Sequence, residues 1–327
     1  MKRKIAKAKM RIVMILREFF LKSRHYSISY AIYSTAWWLG WYIPICNSWA
    51  YWGLKKKTEW MNRYFKKNYS HIIEKYKNYS ESSTLVDDYN IWVFWAQGEE
   101  NMPELVRACY KNLCKQNGAA VKLLTMENLN DYVEIPFYVF DKLKRGTMTY
   151  THFSDLLRVS LLAKHGGVWV DSTCWVAKTI PTEIKNMPFW SCKTDNVNLP
   201  LWSNSRWCGW SMGTNKRNQL LFYFAQELLF LHAKDKECLV DYLLLDYLLF
   251  FAYNEFDGCR KMIYDVLENN VKRNELWGVM NQKYDENRYK EITKDTWLFK
   301  LSYKTELNEK TVDGEDTFYG KMIKGEL

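Results

Sequence analysis

Beyond its N-terminal region, the chain has a spacing of apolar residues that predicts strands alternating with helices. Residues 91–95 are a run of aromatic and β-branched residues typical of a buried strand. A helix is predicted over 102–116, because Pro103 suits the first turn of a helix, and the next strand is predicted over 121–125. Strand, turn, helix and strand in this order are typical of a doubly wound α/β sheet.

A helix, a glycine pair and a short strand are predicted in succession over 151–173. The helix has a polar start, an apolar middle and a stop at Gly166 and Gly167. The buried strand 168–170 follows and ends at Asp171. Open α/β sheets bind their ligands beyond the carboxyl ends of the strands, so Asp171 is the leading candidate for a site residue.

Three further elements are predicted in the C-terminal half of the chain. A strand is expected over 207–212, and a long helix over 217–253, whose apolar run contains Asp241 and Asp246. Residues 297–303 are predicted as a late strand. Alternate residues of a strand share a face, so the polar residues of this segment are expected on one side of it.

Residues 1–85 are predicted to be a basic, aromatic-rich helical leader, and residues 86–327 a separate body. Residues 26–54 contain no Asp, Glu, Lys or Arg but ten Tyr and Trp, a density that favours a membrane interface. Gly40 and Pro44 dilute this stretch, so we expect it to dip into one leaflet and not to span the bilayer. The alternative is a helical hairpin packed on the body.

The charge of the chain is concentrated in the leader. The 327 residues carry a formal charge of +10, whereas residues 1–75 contain 16 Lys and Arg against three Glu, which is +13. A positive segment can face anionic lipid or nucleic acid. Because the aromatic stretch is separated from the charges, unlike an interleaved stacking groove, we expect a membrane surface as partner and no nucleic acid.

The cysteines indicate a reducing compartment. The chain has eight of them, with no Cys-x-x-Cys pair and no histidine cluster at zinc spacing. No small-residue cleavage site clearly follows the apolar stretch, which argues against a secretory signal. We therefore expect a cytoplasmic protein that is peripheral to the inner face of the plasma membrane.

The ordered unit over 151–173 resembles the nucleotide-sugar site of GT-A glycosyltransferases, most closely the capsular polysaccharide synthesis and family 32 group. The resemblance covers residues 90–303. It implies a GT-A fold, which is a Rossmann-like, doubly wound mixed sheet, here with an N-terminal helical appendage. It also implies transfer of a hexose, with retention of configuration, from a nucleotide diphosphate sugar to a hydroxyl of a lipid-linked glycan acceptor in the synthesis of cell-surface polysaccharide.

The same resemblance implies roles for individual residues. Asp171 and Arg158 are expected to act in catalysis, Asp171 by holding a metal and Arg158 near the sugar or the diphosphate. Asp246 is a weaker candidate for the acceptor pocket, because a carboxylate in so apolar a helix needs a partner. The other residues expected at the donor are Trp95 against the base, Asp155 at the sugar hydroxyls, Trp169, Thr173, and Lys300 and Lys304 at the departing diphosphate.

The sequence departs from the Asp-x-Asp motif of the resembled family at Thr173, where a hydroxyl replaces a carboxylate. Mg²⁺ and Mn²⁺ prefer carboxylate, phosphate and water oxygens. Asp171 and Thr173 are therefore expected to hold either ion weakly, with the donor phosphates completing the site. The departure also supports an alternative function, a catalytically silent protein that binds sugar nucleotides.

Overall fold

The structure is a computed structural model that describes residues 2–79, 83–195 and 200–327. These residues form a mixed α/β fold around a five-stranded sheet. The helices are α1 (Lys2–His25), α2 (Ile28–Tyr42), α3 (Asn47–Asn68), α4 (Ser70–Lys77), α5 (Glu104–Asn117), α6 (Phe137–Lys144), α7 (Tyr150–His165), α8 (Thr182–Lys185), α9 (Leu220–Asp235), α10 (Leu244–Glu255), α11 (Asp257–Tyr264), α12 (Glu275–Val279), α13 (Glu286–Thr293) and α14 (Phe318–Ile323). The strands are β1 (Thr84–Leu85), β2 (Ile91–Phe94), β3 (Val121–Leu124), β4 (Gly167–Val170), β5 (Cys174–Val176), β6 (Trp190–Ser191), β7 (Ser211–Thr214), β8 (Lys216–Arg217) and β9 (Leu298–Lys300).

The central sheet has the strand order β3, β2, β4, β7, β6. β2 runs parallel to both of its neighbours, with Ile91 opposite Val121 on one side and Val168 on the other. β7 and β6 continue the sheet in antiparallel orientation. All residues of β2 and β4 are buried, as expected for strands covered on both faces. The predicted α/β class is confirmed, with a mixed central sheet.

The predicted helix, glycine pair and strand before Asp171 are confirmed. α7 begins after Thr149, whose hydroxyl accepts a hydrogen bond from the backbone N–H of His152. Gly167 has a φ of +86°, and a Cβ at this position would clash with the carbonyl oxygen of Asn90. The glycine therefore allows β4 to lie directly beside β2. This arrangement brings the first turns of α7 and Asp171 to the same edge of the sheet.

Two predicted strands are present but shorter than expected. The strand predicted over 207–212 begins only at Ser211 as β7, and the late strand predicted over 297–303 is β9, which ends at Lys300. The alternation expected across the late strand therefore stops at this lysine. β9 does not join the central sheet, because it pairs with β5 in a separate two-stranded ladder.

The first four helices include a hairpin formed by α2 and α3. Gly40 lies so close to α3 that a Cβ would clash with the backbone of Ala50. The Trp37 ring is buried, and its Nε1–H donates to the carbonyl of Pro200 at 2.7 Å. The structure thus has the packed helical hairpin that the sequence left as an alternative. Among the described residues, no helix is long and apolar enough to cross a membrane.

The helix predicted over 217–253 is wrong at its centre, where Asp241 lies in an irregular segment between α9 and α10. Its Oδ2 lies 2.9 Å from Lys57 Nζ and accepts a hydrogen bond from the Tyr30 hydroxyl at 2.9 Å. Lys22 Nζ is 3.7 Å away. Burial disfavours the carboxylate, but the two lysines outweigh it and hold the pKa of Asp241 far below its ordinary value. The carboxylate is thus held by residues that are distant in the sequence, which an apolar run cannot reveal.

Asp241→Asn is expected to lower the free energy of unfolding by about 3 kcal/mol or more, because it removes the carboxylate that lies 2.9 Å from the fully buried ammonium group of Lys57. Denaturant unfolding followed by circular dichroism measures this change. The matched control is Asp257→Asn, which breaks an ion pair at a carboxylate that is 94% exposed, and should change stability by less than about 1 kcal/mol. Equal stability of the two variants would contradict the anchoring role of Asp241.

Candidate functional site

A cavity of about 790 Å³ opens at the carboxyl edge of the central sheet. Its walls come from the residues that follow β2 and β4, the first turns of α7, the start of α10 and the end of β9. Small-molecule sites in proteins have volumes of about 300–1,000 Å³. All the residues that the sequence proposed for donor, acceptor or metal line this cavity, namely Trp95, Asp155, Arg158, Trp169, Asp171, Thr173, Asp246, Lys300 and Lys304.

Asp171 lies directly after β4 and is fixed by the strand that precedes it. Its backbone N–H donates to the carbonyl of Trp210 at 2.9 Å. The indole Nε1–H of Trp169 donates to Asp171 Oδ1 at 2.8 Å, and the Trp169 ring is buried. The sequence predicted Trp169 at the donor. In the structure Trp169 lines the cavity, and its indole N–H holds the carboxylate of Asp171.

Arg158 lies between two carboxylates. One guanidinium nitrogen is 2.8 Å from Asp155 Oδ1, and the other is 3.3 Å from Asp171 Oδ1. The guanidinium carbon lies 5.0 Å from the centre of the Trp169 ring, which is within reach of a cation–π contact. The (i, i+3) spacing of Asp155 and Arg158 on a helix allows this ion pair without any functional role. The second contact, to Asp171, connects α7 to the end of β4.

Lys300 reaches Asp171 from the opposite side. Its Nζ is 2.6 Å from Asp171 Oδ2 and 2.8 Å from Thr173 Oγ1. The β5–β9 ladder places Lys300 opposite Cys174, and the N–H of Leu301 donates to the carbonyl of Thr173 at 2.9 Å. Backbone pairing therefore sets the lysine beside both motif residues.

The carboxylates of the cavity have different pKa values. Burial raises the pKa of Asp155 to about 7, although Arg158 opposes the rise. Burial also raises the pKa of Asp246 to about 6, although the hydrogen bond from the Trp207 indole lowers it. Burial acts on Asp171 in the same direction, but Lys300 and Arg158 outweigh it and hold the pKa of Asp171 below its ordinary value. At neutral pH Asp171 is ionised, whereas Asp155 titrates in this range.

The mouth of the cavity is aromatic and basic. Trp95 follows β2 and makes an edge-to-face contact with Tyr303, with ring centres 5.9 Å apart. Lys304 is exposed and lines the same opening. Trp95 is only partly buried and lines the cavity.

Asp246 lies in the first turn of α10 and lines the same cavity. Its Oδ1 accepts a hydrogen bond from Trp207 Nε1 at 2.9 Å. Several lining aromatic residues, among them Trp210 and Tyr242, were missed by sequence reasoning. They follow no motif and stand beside apolar segments, so only the folded chain shows that they face the cavity.

The residues around Asp171 do not fit a metal held by the protein. Both carboxylate oxygens already accept hydrogen bonds, and Thr173 Oγ1 accepts one from Lys300. Across residues 2–79, 83–195 and 200–327, no group of three or more His, Cys, Asp and Glu side chains could hold a metal ion. The predicted weak Mn²⁺ or Mg²⁺ site at Asp171 and Thr173 stays a prediction without support from this donor set.

Comparison with known proteins places the chain in a family. The model of the family described as capsular polysaccharide synthesis protein matches residues 51–322. A stretch of 98 residues is 31% identical to the O-glycosyltransferase braB of Annulohypoxylon truncatum, and covers 27% of this chain and 23% of that protein. The apo structure of the bifunctional glycosyltransferase WbbM aligns with a TM-score of 0.40 and 11% identity over 73% of this chain and 49% of that one. Because the family model matches most of its length, the chain belongs to the capsular polysaccharide synthesis protein family.

Proposed function

We propose that this protein is a glycosyltransferase that moves a hexose from a nucleotide diphosphate sugar to a hydroxyl of a glycan. The observation that carries the proposal is the cluster of Asp155, Arg158 and Asp171 at the end of β4, inside a cavity of ligand size. Membership of the family supports a role in capsular or other cell-surface polysaccharide synthesis. The positions of β2, α7 and β4 relative to this cluster support a GT-A fold.

Arg158 is placed to stabilise the departing nucleoside diphosphate. In the transfer, the bond between the anomeric carbon and the diphosphate oxygen breaks, and its electron pair stays on that oxygen. A cation already fixed in position lowers the energy of this developing charge without reorganising. Arg158 meets this requirement, because Asp155, Asp171 and the Trp169 ring hold its guanidinium from three sides.

The remaining residues divide the cavity into donor and acceptor parts. We assign Asp155 to the sugar hydroxyls, Trp95 to the base, and Lys304 to the phosphates at the mouth. Asp246 lines the same cavity and is assigned to the acceptor hydroxyl, supported by this position and by its raised pKa. Retention of configuration follows only from the family resemblance and is proposed on that basis.

Asp171→Asn is expected to lower sugar transfer at least about a hundredfold, or about 2.7 kcal/mol, because it removes the charge that orients Arg158 and Lys300. The assay is transfer or slow donor hydrolysis with a panel of nucleotide sugars, after thermal unfolding has shown that the variant folds. Asp265→Asn, at a half-exposed carboxylate, is the control and should retain full activity.

Two outcomes would count against this function. Near wild-type transfer by Asp171→Asn would show that the assignment of Asp171 to the catalytic site is wrong. A nucleotide sugar that raises the unfolding temperature of the wild type but is never transferred or hydrolysed would favour the silent binding protein instead, because a ligand stabilises the protein that binds it whether or not it reacts.

We also propose that the protein attaches to the inner face of the plasma membrane, where a lipid-linked acceptor is within reach. At the tip of the α2–α3 hairpin, Ile45 is 91% and Trp49 50% exposed, and on α1 Val13 is 65% exposed. The Arg11 guanidinium lies 4.7 Å from the Tyr42 ring and joins α1 to this tip. Exposed apolar and aromatic side chains with basic neighbours suit an anionic lipid surface.

Replacing both Ile45 and Trp49 by Asp should lower partition onto vesicles that contain anionic lipid at least about tenfold, because each apolar side chain contributes about 1.5–3 kcal/mol when buried. Co-sedimentation measures the bound fraction. Leu267→Asp, at an 82% exposed apolar residue of the body, is the control and should bind like the wild type. High salt should weaken binding only in part, since it screens charges but not apolar contacts. Unchanged binding of the double variant would contradict the proposal.

A further inference from the structure

The ammonium group of Lys300 lies where the motif would present a cation to the donor. It contacts the two side chains that an Asp-x-Asp motif uses, Asp171 Oδ2 at 2.6 Å and Thr173 Oγ1 at 2.8 Å. The guanidinium of Arg158 contacts the other oxygen of Asp171 at 3.3 Å. The carboxylate therefore has a fixed positive group on each of its oxygens.

The position of Lys300 is set by the backbone. Lys300 is the last residue of β9 and lies in register with Cys174 of β5, one residue after Thr173. The N–H of Lys300 also donates to the carbonyl of Arg273 at 2.9 Å, and the N–H of Leu301 donates to the carbonyl of Thr173. These three backbone contacts fix the position of Lys300, whose side chain is only about a quarter exposed. The arrangement is thus a built part of the cavity wall and not a surface ion pair.

The charges of Asp171 and Thr173 match a monovalent cation such as the Lys300 ammonium group. Two carboxylates with a divalent ion make a neutral set, and one carboxylate with one ammonium group makes a neutral set as well. Thr173 contributes an uncharged oxygen that accepts a hydrogen bond from the ammonium group, so the loss of the second carboxylate agrees with a monovalent cation. A divalent ion at the same position would have to displace Lys300 and would meet the repulsion of Arg158.

We infer that the Lys300 ammonium group takes the place of a divalent metal, and that with Arg158 it binds the diphosphate of the donor, so that transfer needs no metal. This inference rests on the proposed function. The anomeric C–O bond breaks with its electron pair going to the diphosphate oxygen, which Lys300 and Arg158 stabilise. The acceptor oxygen forms the new bond to the anomeric carbon, and its proton leaves to water.

The first experiment compares transfer with a chelator and with added Mn²⁺ or Mg²⁺. The wild type should show the same kcat within twofold in all three conditions. Lys300→Ala should lower kcat at least a hundredfold. Lys290→Ala should have no effect, although this lysine makes an ion pair of the same 2.6 Å length, because it pairs with Glu286 on the exposed surface of α13.

The second experiment restores a metal site. Lys300→Ala combined with Thr173→Asp removes the ammonium group and supplies a second carboxylate, so this variant should bind Mn²⁺ and regain at least tenfold in kcat when Mn²⁺ is added. A merely structural role of Lys300 would give no such metal-dependent rescue. Thr173→Asp alone should bind Mn²⁺ no better than the wild type, because Lys300 still occupies the site.

Direct Mn²⁺ binding, measured by electron paramagnetic resonance without any nucleotide sugar, separates this inference from the proposed function. Weak binding by the wild type and tighter binding by the double variant support the inference even if no donor has been found. Tight Mn²⁺ binding by the wild type, or loss of its transfer in chelator with recovery in Mn²⁺, would overturn the inference and leave the glycosyltransferase assignment in place. Failure of every nucleotide sugar to bind would count against the proposed function.

Discussion

The site depends on one carboxylate held between two cations. Asp171 accepts hydrogen bonds from Arg158 and the Trp169 indole on Oδ1 and from Lys300 on Oδ2. Arg158 and Trp169 come from α7 and β4, which are consecutive in the sequence, whereas Lys300 comes from β9, 129 residues after Asp171. Removing the carboxylate would leave the buried Arg158 guanidinium with Asp155 as its remaining ion pair and would take away the carboxylate that Lys300 contacts, so this single interaction sets the positions of both cations in the cavity.

The backbone geometry of the fold brings the partners of Asp171 together. The Gly167 conformation sets β4 beside β2, and the pairing of β5 with β9 brings Lys300 to the motif. A second buried charge cluster, around Asp241, lies next to another residue of the cavity wall. Lys57 and Tyr30 hold Asp241, and the next residue along the chain, Tyr242, lines the cavity. The N-terminal helices therefore support a wall of the site in addition to presenting exposed apolar residues.

Local patterns predicted the elements whose signal lies within a short stretch of the sequence. The aromatic and β-branched run at 91–94, the helix at 104–117 and the unit that ends at Asp171 are all present, because burial on both faces and a glycine stop leave strong local signals. The sequence also indicated which side chains line the cavity. It placed Lys300 at a diphosphate but did not reveal its contacts to Asp171 and Thr173, since strand pairing over more than 120 residues has no local signature. The break at Asp241 was missed for the same reason, because its partners lie in α1, α2 and α3.

The most direct measurement of where the donor binds is a crystal structure of the protein grown with a nucleoside diphosphate and Mn²⁺, with anomalous data collected at the manganese edge. We expect the diphosphate oxygens to contact Lys300 Nζ and the Arg158 guanidinium, the base to lie against Trp95, and no anomalous peak between Asp171 and Thr173. A diphosphate bound outside this cavity would contradict the site assignment, and a manganese peak in contact with Asp171 would contradict the role given to Lys300.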